Sequence, residues 1–200
     1  MKGKIQTFAG LCIVGVFVFG LVKSIYNRNL APTEIKIIKS LKEFNQVQNS
    51  LFWYELGVEK TSLGAVGAKL TSEGESVADA IYEVLKQAGI VNQKMTTMSE
   101  AAVEKWKELD AYRGSDPNVW EIAQQNGHPF IFKVVIKGAS HREKSGDLDK
   151  VEYQFSIYNS SSQALVWRAE TYRLASFFGG MPPTESLIVS FKEKLNLEDE

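Results

Sequence analysis

Three stretches between Phe130 and Leu174 alternate apolar and polar residues, and this pattern constrains the fold more than any other feature of the chain. FIFKVVIK, residues 130–137, sets Phe130, Phe132, Val134 and Ile136 on one face. VEYQFSIY, 151–158, sets Val151, Tyr153, Phe155 and Ile157 opposite Glu152, Gln154 and Ser156. ALVWRAETYRL, 164–174, puts Leu165, Trp167 and Ala169 on one side and Arg168 and Glu170 on the other. Successive strand side chains point to opposite faces, so this alternation predicts an antiparallel sheet with one covered face. The connectors His141–Asp149 and Asn159–Gln163 have hairpin length or slightly more.

The covering layer is predicted from helical spacing. Ser72 and Glu75 form a capping-box pattern, Val77, Ile81, Val84, Leu85 and Ala88 recur on one helix face, and Gly89 stops the run. Thr97 with Glu100 repeats the capping pattern ahead of Ala102, Trp106 and Leu109. Asp116-Pro117 starts a shorter helix with Trp120 and Ala123, and Pro182-Pro183-Thr184 introduces a last one with Leu187, Ile188, Phe191 and Leu195. Ahead of these, LFWYELGVEK (51–60) predicts a strand, and Ala65–Leu70 a weaker extended piece. The sum is an α+β domain over residues 50–197, an antiparallel sheet with helices packed on one face.

The amino terminus differs in kind. Thr7–Val22 is a run of sixteen uncharged residues behind the basic start MKGK. A lipoprotein signal would place its cysteine after the apolar run and behind a small residue, whereas Cys12 follows Leu11 and has ten uncharged residues after it. A cleavable signal peptide needs a small-x-small site, and Lys23-Ser-Ile-Tyr-Asn-Arg-Asn supplies none. A membrane anchor remains, over residues 1–23. Sixteen helical residues span roughly 24 Å, short of the roughly 30 Å hydrocarbon core. Lys4 and Lys23 extend that reach toward the headgroups, and Tyr26 adds an interfacial ring. Lys2 and Lys4 narrowly outweigh Lys23 and Arg28, which places the tail in the cytoplasm and the domain on the periplasmic or extracytoplasmic side. Residues 24–49, with Asn27, Asn29 and Pro32, read as a linker into the domain.

Charge and ligand chemistry narrow the function. The net charge is −1, but residues 1–23 contain three lysines and no acid, so the rest carries 20 basic against 24 acidic side chains, about −4. That balance argues against nucleic acid as a partner. His128 and His141 are the only histidines and no cysteine joins them, so neither a metal site nor another cofactor is expected. His141, Ser140 and Asp147 share one polar connector, where nothing would hold a catalytic triad rigid. GAVGAK (64–69) lacks the spacing of a phosphate loop. No catalytic residue emerges, and an enzyme is not expected.

VADAIYEVLKQAGI, then an apolar strand, then YQFSIYNSSSQALVWRA, resembles small bacterial envelope domains of lipoprotein type, including the activator lipoproteins of penicillin-binding proteins. The resemblance covers residues 50–195, lacks a lipobox, and implies an envelope role through protein contacts. The residues suited to such contacts are Phe177, Phe178 and Met181 in ASFFGGMPP, and Trp53 in the run Phe52-Trp53-Tyr54, whose rings cannot all face the covered side. The expected function is that of a single-span, membrane-anchored, non-enzymatic protein that binds protein partners. The alternative is a module for a small or lipid-like ligand, with a pocket between sheet and helices near Phe177.

Overall fold

The computed structural model describes residues 18, 22, 34–41, 47–56, 65–98, 118–142, 145, 147–175 and 180–197. Its elements run β1 (Ile35–Lys39), β2 (Ser50–Leu56), α1 (Ala65–Gln87), β3 (Val91–Met98), α2 (Val119–Gln125), β4 (Phe130–His141), β5 (Leu148–Asn159), β6 (Leu165–Leu174) and α3 (Glu185–Leu195). The six strands form one sheet in the order β1-β6-β5-β4-β2-β3.

The meander from β4 to β6 is antiparallel, with Phe132 opposite Ile157 and Phe155 opposite Ala169, as the alternation predicts. Its second hairpin turns on Asn159, whose side-chain oxygen accepts from the backbone N–H of Ser161 and Ser162 at 3.1 and 2.9 Å. The sheet as a whole is not antiparallel. β2 lies parallel to both β3 and β4, so the sheet is mixed. Parallel neighbours need a long crossover, and α1 supplies the one between β2 and β3.

α1 covers one face of the sheet with Leu70, Val77, Ile81 and Leu85, and α3 extends the cover with Leu187, Phe191 and Leu195. Beneath them lie Phe52, Phe132, Phe155 and Trp167. The Phe191 ring meets Phe155 edge-on at 5.3 Å and Phe132 at 6.1 Å. α1 closes as expected at Gly89, which has φ +68°: Gly89 N–H donates to Lys86 O and Ile90 N–H to Leu85 O at 2.9 Å, with Ile90 and Leu85 both buried.

Helices are not confined to that face. α2 packs on the opposite side, where Val119 and Ala123 meet Leu51 of β2 and Ile131 of β4. The Phe52-Trp53-Tyr54 run explains why: Phe52 and Tyr54 enter the main core, and Trp53 necessarily points to the other face, where Trp120 of α2 meets its ring at 6.1 Å.

Other expectations change with the fold. Ala65–Leu70 is not extended but the first turns of α1, so Ser72 and Glu75 lie within the helix and not at its cap. Gly74 breaks the helical signal but is required there, because α1 presses its backbone against Tyr54. Thr97 belongs to β3, and its hydroxyl accepts from Trp53 Nε1 at 2.8 Å rather than capping a helix. The short helix begins at Val119, capped by Asn118 Oδ1. Within the stretch read as a linker, Ile35–Lys39 forms an edge strand. Of the anchor over residues 1–23, only Val18 and Val22 are described. No helix among the described residues is long and apolar enough to cross a membrane. Lys4, Lys23 and Tyr26 lie outside the described residues, as does the helix expected after Thr97.

Candidate functional site

Alternation along β6 puts Thr171 and Arg173 on the same covered face as Trp167 and Ala169. An arginine in that position must bring its own partners, since burying an unpaired charge is costly. Arg173, only 2% exposed, is held by two. One terminal nitrogen donates to Glu73 Oε1 on α1, and the other to the carbonyl of Pro182, just ahead of α3. Tyr153 on β5 also donates to Glu73 Oε1, at 3.0 Å. Arg173 is thus the junction of sheet, α1 and the segment leading to α3.

A cavity of about 1010 Å³ opens beside this junction. One wall is a face of α1, with Ala68, Lys69, Ser72, Glu73 and Ser76 recurring at helical spacing. Arg142, Asp147 and Leu148 at the β4–β5 connector form the second wall, and Gly180 and Met181 the third. Lys69 bridges the first two walls to Asp147 Oδ1 at 2.6 Å. That hydrogen bond, foremost, holds the Asp147 carboxyl below its usual range. Arg142 approaches Asp149 at 3.5 Å.

Burial, and then the neighbouring Glu73 carboxylate, raise the Tyr153 hydroxyl above its ordinary value of 10.0. Burial, and then Glu75 and Glu73, do the same for Tyr54. A raised folded-state pKa means stability present below the unfolded value and lost as pH climbs beyond it. The domain is therefore expected to weaken above pH 10, the ordinary tyrosine value. In an alkaline titration followed by phenolate absorbance, at least two of the seven tyrosines should resist ionisation until the chain unfolds. Ionisation of all seven with circular dichroism unchanged would contradict this placement.

A second feature lies at the β1 edge of the sheet. Among the described residues β1 pairs only with β6, leaving its outer edge without a neighbour. Ile37 and Ile38 on β1 are 40% and 48% exposed, and Tyr172 and Leu174 on adjoining β6 are 45% and 46% exposed. The pairing slips between Ile37 and Lys39, a bulge that bends this edge. A groove of about 230 Å³ runs alongside, between Lys36, Lys137, Glu170 and Tyr172.

The sequence-derived contact residues are not brought together. Met181 is half-buried against the main core and lines the cavity, while Trp53 is half-buried on the opposite sheet face, with the Lys133 ammonium 3.8 Å from its ring centre. Phe177 and Phe178 lie outside the described residues. His128 is buried, with its ring nitrogens 2.9 Å from Asn49 O and Gln93 Oε1, a junction between strands. Nothing in the local sequence around Glu73 or Ile38 marks either residue as part of a site. Arg173 carried a signal, because the period of two in ALVWRAETYRL places it on the covered side.

These features define a mixed α+β domain with a six-stranded sheet, a polar cavity beside a buried ion pair, and an apolar sheet edge. The sequence matches no protein-family model, and no curated protein matches it. Among solved structures the chain is similar to the PelC dodecamer from Paraburkholderia phytofirmans, at 14% identity and a TM-score of 0.46, covering 82% of this chain and 94% of that one. It is similar to lipoprotein GNA1162 from Neisseria meningitidis, at 9% identity and a TM-score of 0.41, covering 74% and 99%. The LpoB C-terminal domain from Salmonella enterica is a further neighbour, at 12% identity and a TM-score of 0.33, covering 63% and 83%. Bacterial lipoproteins are thus among its structural neighbours, at low identity.

Proposed function

We propose that the protein is a single-span, membrane-anchored, non-enzymatic factor of the cell envelope whose domain binds a protein partner along β1. The uncharged run Thr7–Val22 supports the anchor, and the carboxylate recessed in the cavity, Glu73, is engaged by Arg173 and Tyr153. One observation carries the binding reading: among the described residues, four of the five large apolar side chains exposed on the domain itself sit on β1 and adjoining β6, the exception being Val189 on α3. An edge strand offers unpaired backbone donors and acceptors to an extended segment, and exposed side chains beside it supply specificity. Lys36, Lys39 and the bulge at Ile38 restrain indiscriminate pairing and favour a segment that interleaves acidic with apolar residues.

A photo-crosslinking residue placed at Ile38 in the full chain tests this in cells, with Val189 as the control position. The expected result is one heterologous adduct of defined mass from position 38 and none from 189. In the purified adduct, the β1 amides should be protected from hydrogen exchange. A homodimer, a lipid adduct or equal labelling at both positions would overturn the edge as a partner site.

A second reading is favoured by the cavity: the domain also holds a small ligand between α1, the β4–β5 connector and Gly180–Met181.

A further inference from the structure

We propose that the cavity beside α1 takes a neutral, polyhydroxylated small molecule of saccharide type, with Glu73 Oε2 as the acceptor that orients it. The proposal rests on the second reading above and names the ligand class. Glu73 Oε1 receives both Tyr153 and Arg173, whereas Oε2 makes no hydrogen bond among the described residues, and Glu73 lines the cavity. The cavity-lining carboxylate thus keeps one oxygen uncommitted, and its position is set by a guanidinium that is itself immobilised by Pro182 O. Such preorganisation is what a specific polar contact requires.

The charges select among ligands. Lys69 and Arg142 offset Glu73 and Asp147, so the described lining residues carry no net formal charge. A cationic ligand on Glu73 would also face the Arg173 guanidinium that already neutralises this carboxylate. An anion would face Glu73, and the cations of the lining are already paired, Lys69 with Asp147 and Arg142 with Asp149. A hydroxyl group gains a charge-assisted hydrogen bond to Oε2 while bringing no charge of its own. Ser72 and Ser76, one helical turn apart on the same wall, offer hydroxyls that both donate and accept. Leu148, Met181 and Ala68 provide the apolar surface on which the C–H face of a sugar ring packs.

Methionine methyl resonances give a direct test, because the four methionines include Met181 in the cavity wall and Met95 and Met98 on β3. The full chain would be labelled at its methionine methyls, held in lipid nanodiscs free of glycolipid and sugar detergent, and titrated with maltose, inorganic phosphate and butylammonium. The expected result is a saturable shift of the Met181 resonance by maltose, with affinity at least about tenfold above that for either ion. Met95 and Met98 should stay in place. Ser76→Leu, which sets a branched apolar side chain in the cavity wall in place of a hydroxyl at an exposed helix position, should abolish the shift. Glu73→Gln should weaken it in chain whose Met95 and Met98 resonances remain native. Stronger binding of phosphate or butylammonium at Met181 would overturn the ligand class while leaving a ligand-binding cavity. A Met181 resonance unmoved by all three probes would overturn both. A maltose shift that survives Ser76→Leu would place the binding elsewhere and refute the assignment.

Discussion

Glu73→Ala is expected to destabilise the domain by about 3–5 kcal/mol, the usual loss when one partner of a buried ion pair is removed. The side chain of Arg173 is 1% exposed and that of Glu73 15%, so the guanidinium loses its charged partner in a largely buried setting. Tyr153 loses its acceptor as well. The origin of the loss can be isolated. Removing both charges with Glu73→Leu and Arg173→Leu should recover most of the stability, since replacing a buried pair by apolar residues is often neutral. Adding Tyr153→Phe removes the hydroxyl left without a partner. Denaturant unfolding of the single, double and triple variants measures this series. A double variant as unstable as the single one would mean that Glu73 acts through packing and not through charge.

The second large effect is expected at Gly74, in the middle of α1. A Cβ there would lie 2.0 Å from Tyr54 Oη and 2.7 Å from Ile136 Cδ1. Neither neighbour has room to retreat, because Tyr54 is 1% exposed and Ile136 8% exposed. Overpacking of a filled core costs about 1–3 kcal/mol and occasionally more, whereas alanine gains about 1 kcal/mol over glycine in a helix. The clash should prevail, leaving Gly74→Ala about 2 kcal/mol less stable. The Tyr54 hydroxyl is buried and has no hydrogen-bond partner among the described residues. Tyr54→Phe alone should therefore be neutral or slightly stabilising, and it should partly rescue Gly74→Ala by removing the nearest atom. Thermal unfolding of the four combinations decides the matter. Full stability of Gly74→Ala in the native background would show that α1 does not pack on Tyr54 as described.

The parts of this fold legible in the sequence are those whose local pattern and final surroundings agree. β4, β5 and β6 alternate because one face meets the core, and Gly89 ends α1 because the chain turns there with positive φ. β1 and β3 escaped notice for the opposite reason. VNQKMTTM sits at a sheet edge where only part of it is buried, and IKIIK alternates only as far as Ile37 before the bulge breaks the pattern. The parallel pairing of β2 leaves no local trace, since it depends on where the crossovers carry the chain. α1 is longer than its caps suggested because Gly74 answers to Tyr54, a residue distant in sequence.

The candidate site was less legible still. Met181 was singled out, but for exposure in a loop and not as a cavity wall. Glu73 looks in sequence like one of many helix-surface carboxylates, and its distinction comes from Arg173 exactly one hundred positions later. The exposed edge at Ile37 and Ile38 falls in a segment whose polar flanks suggested only a linker.

The reading as a whole depends on residues 1–23 staying in the bilayer. Alkaline carbonate extraction of native membranes, followed by intact-mass measurement of the extracted and retained fractions, addresses that dependence directly. The account predicts the uncleaved chain in the membrane pellet. A soluble product lacking its apolar amino-terminal run would contradict it.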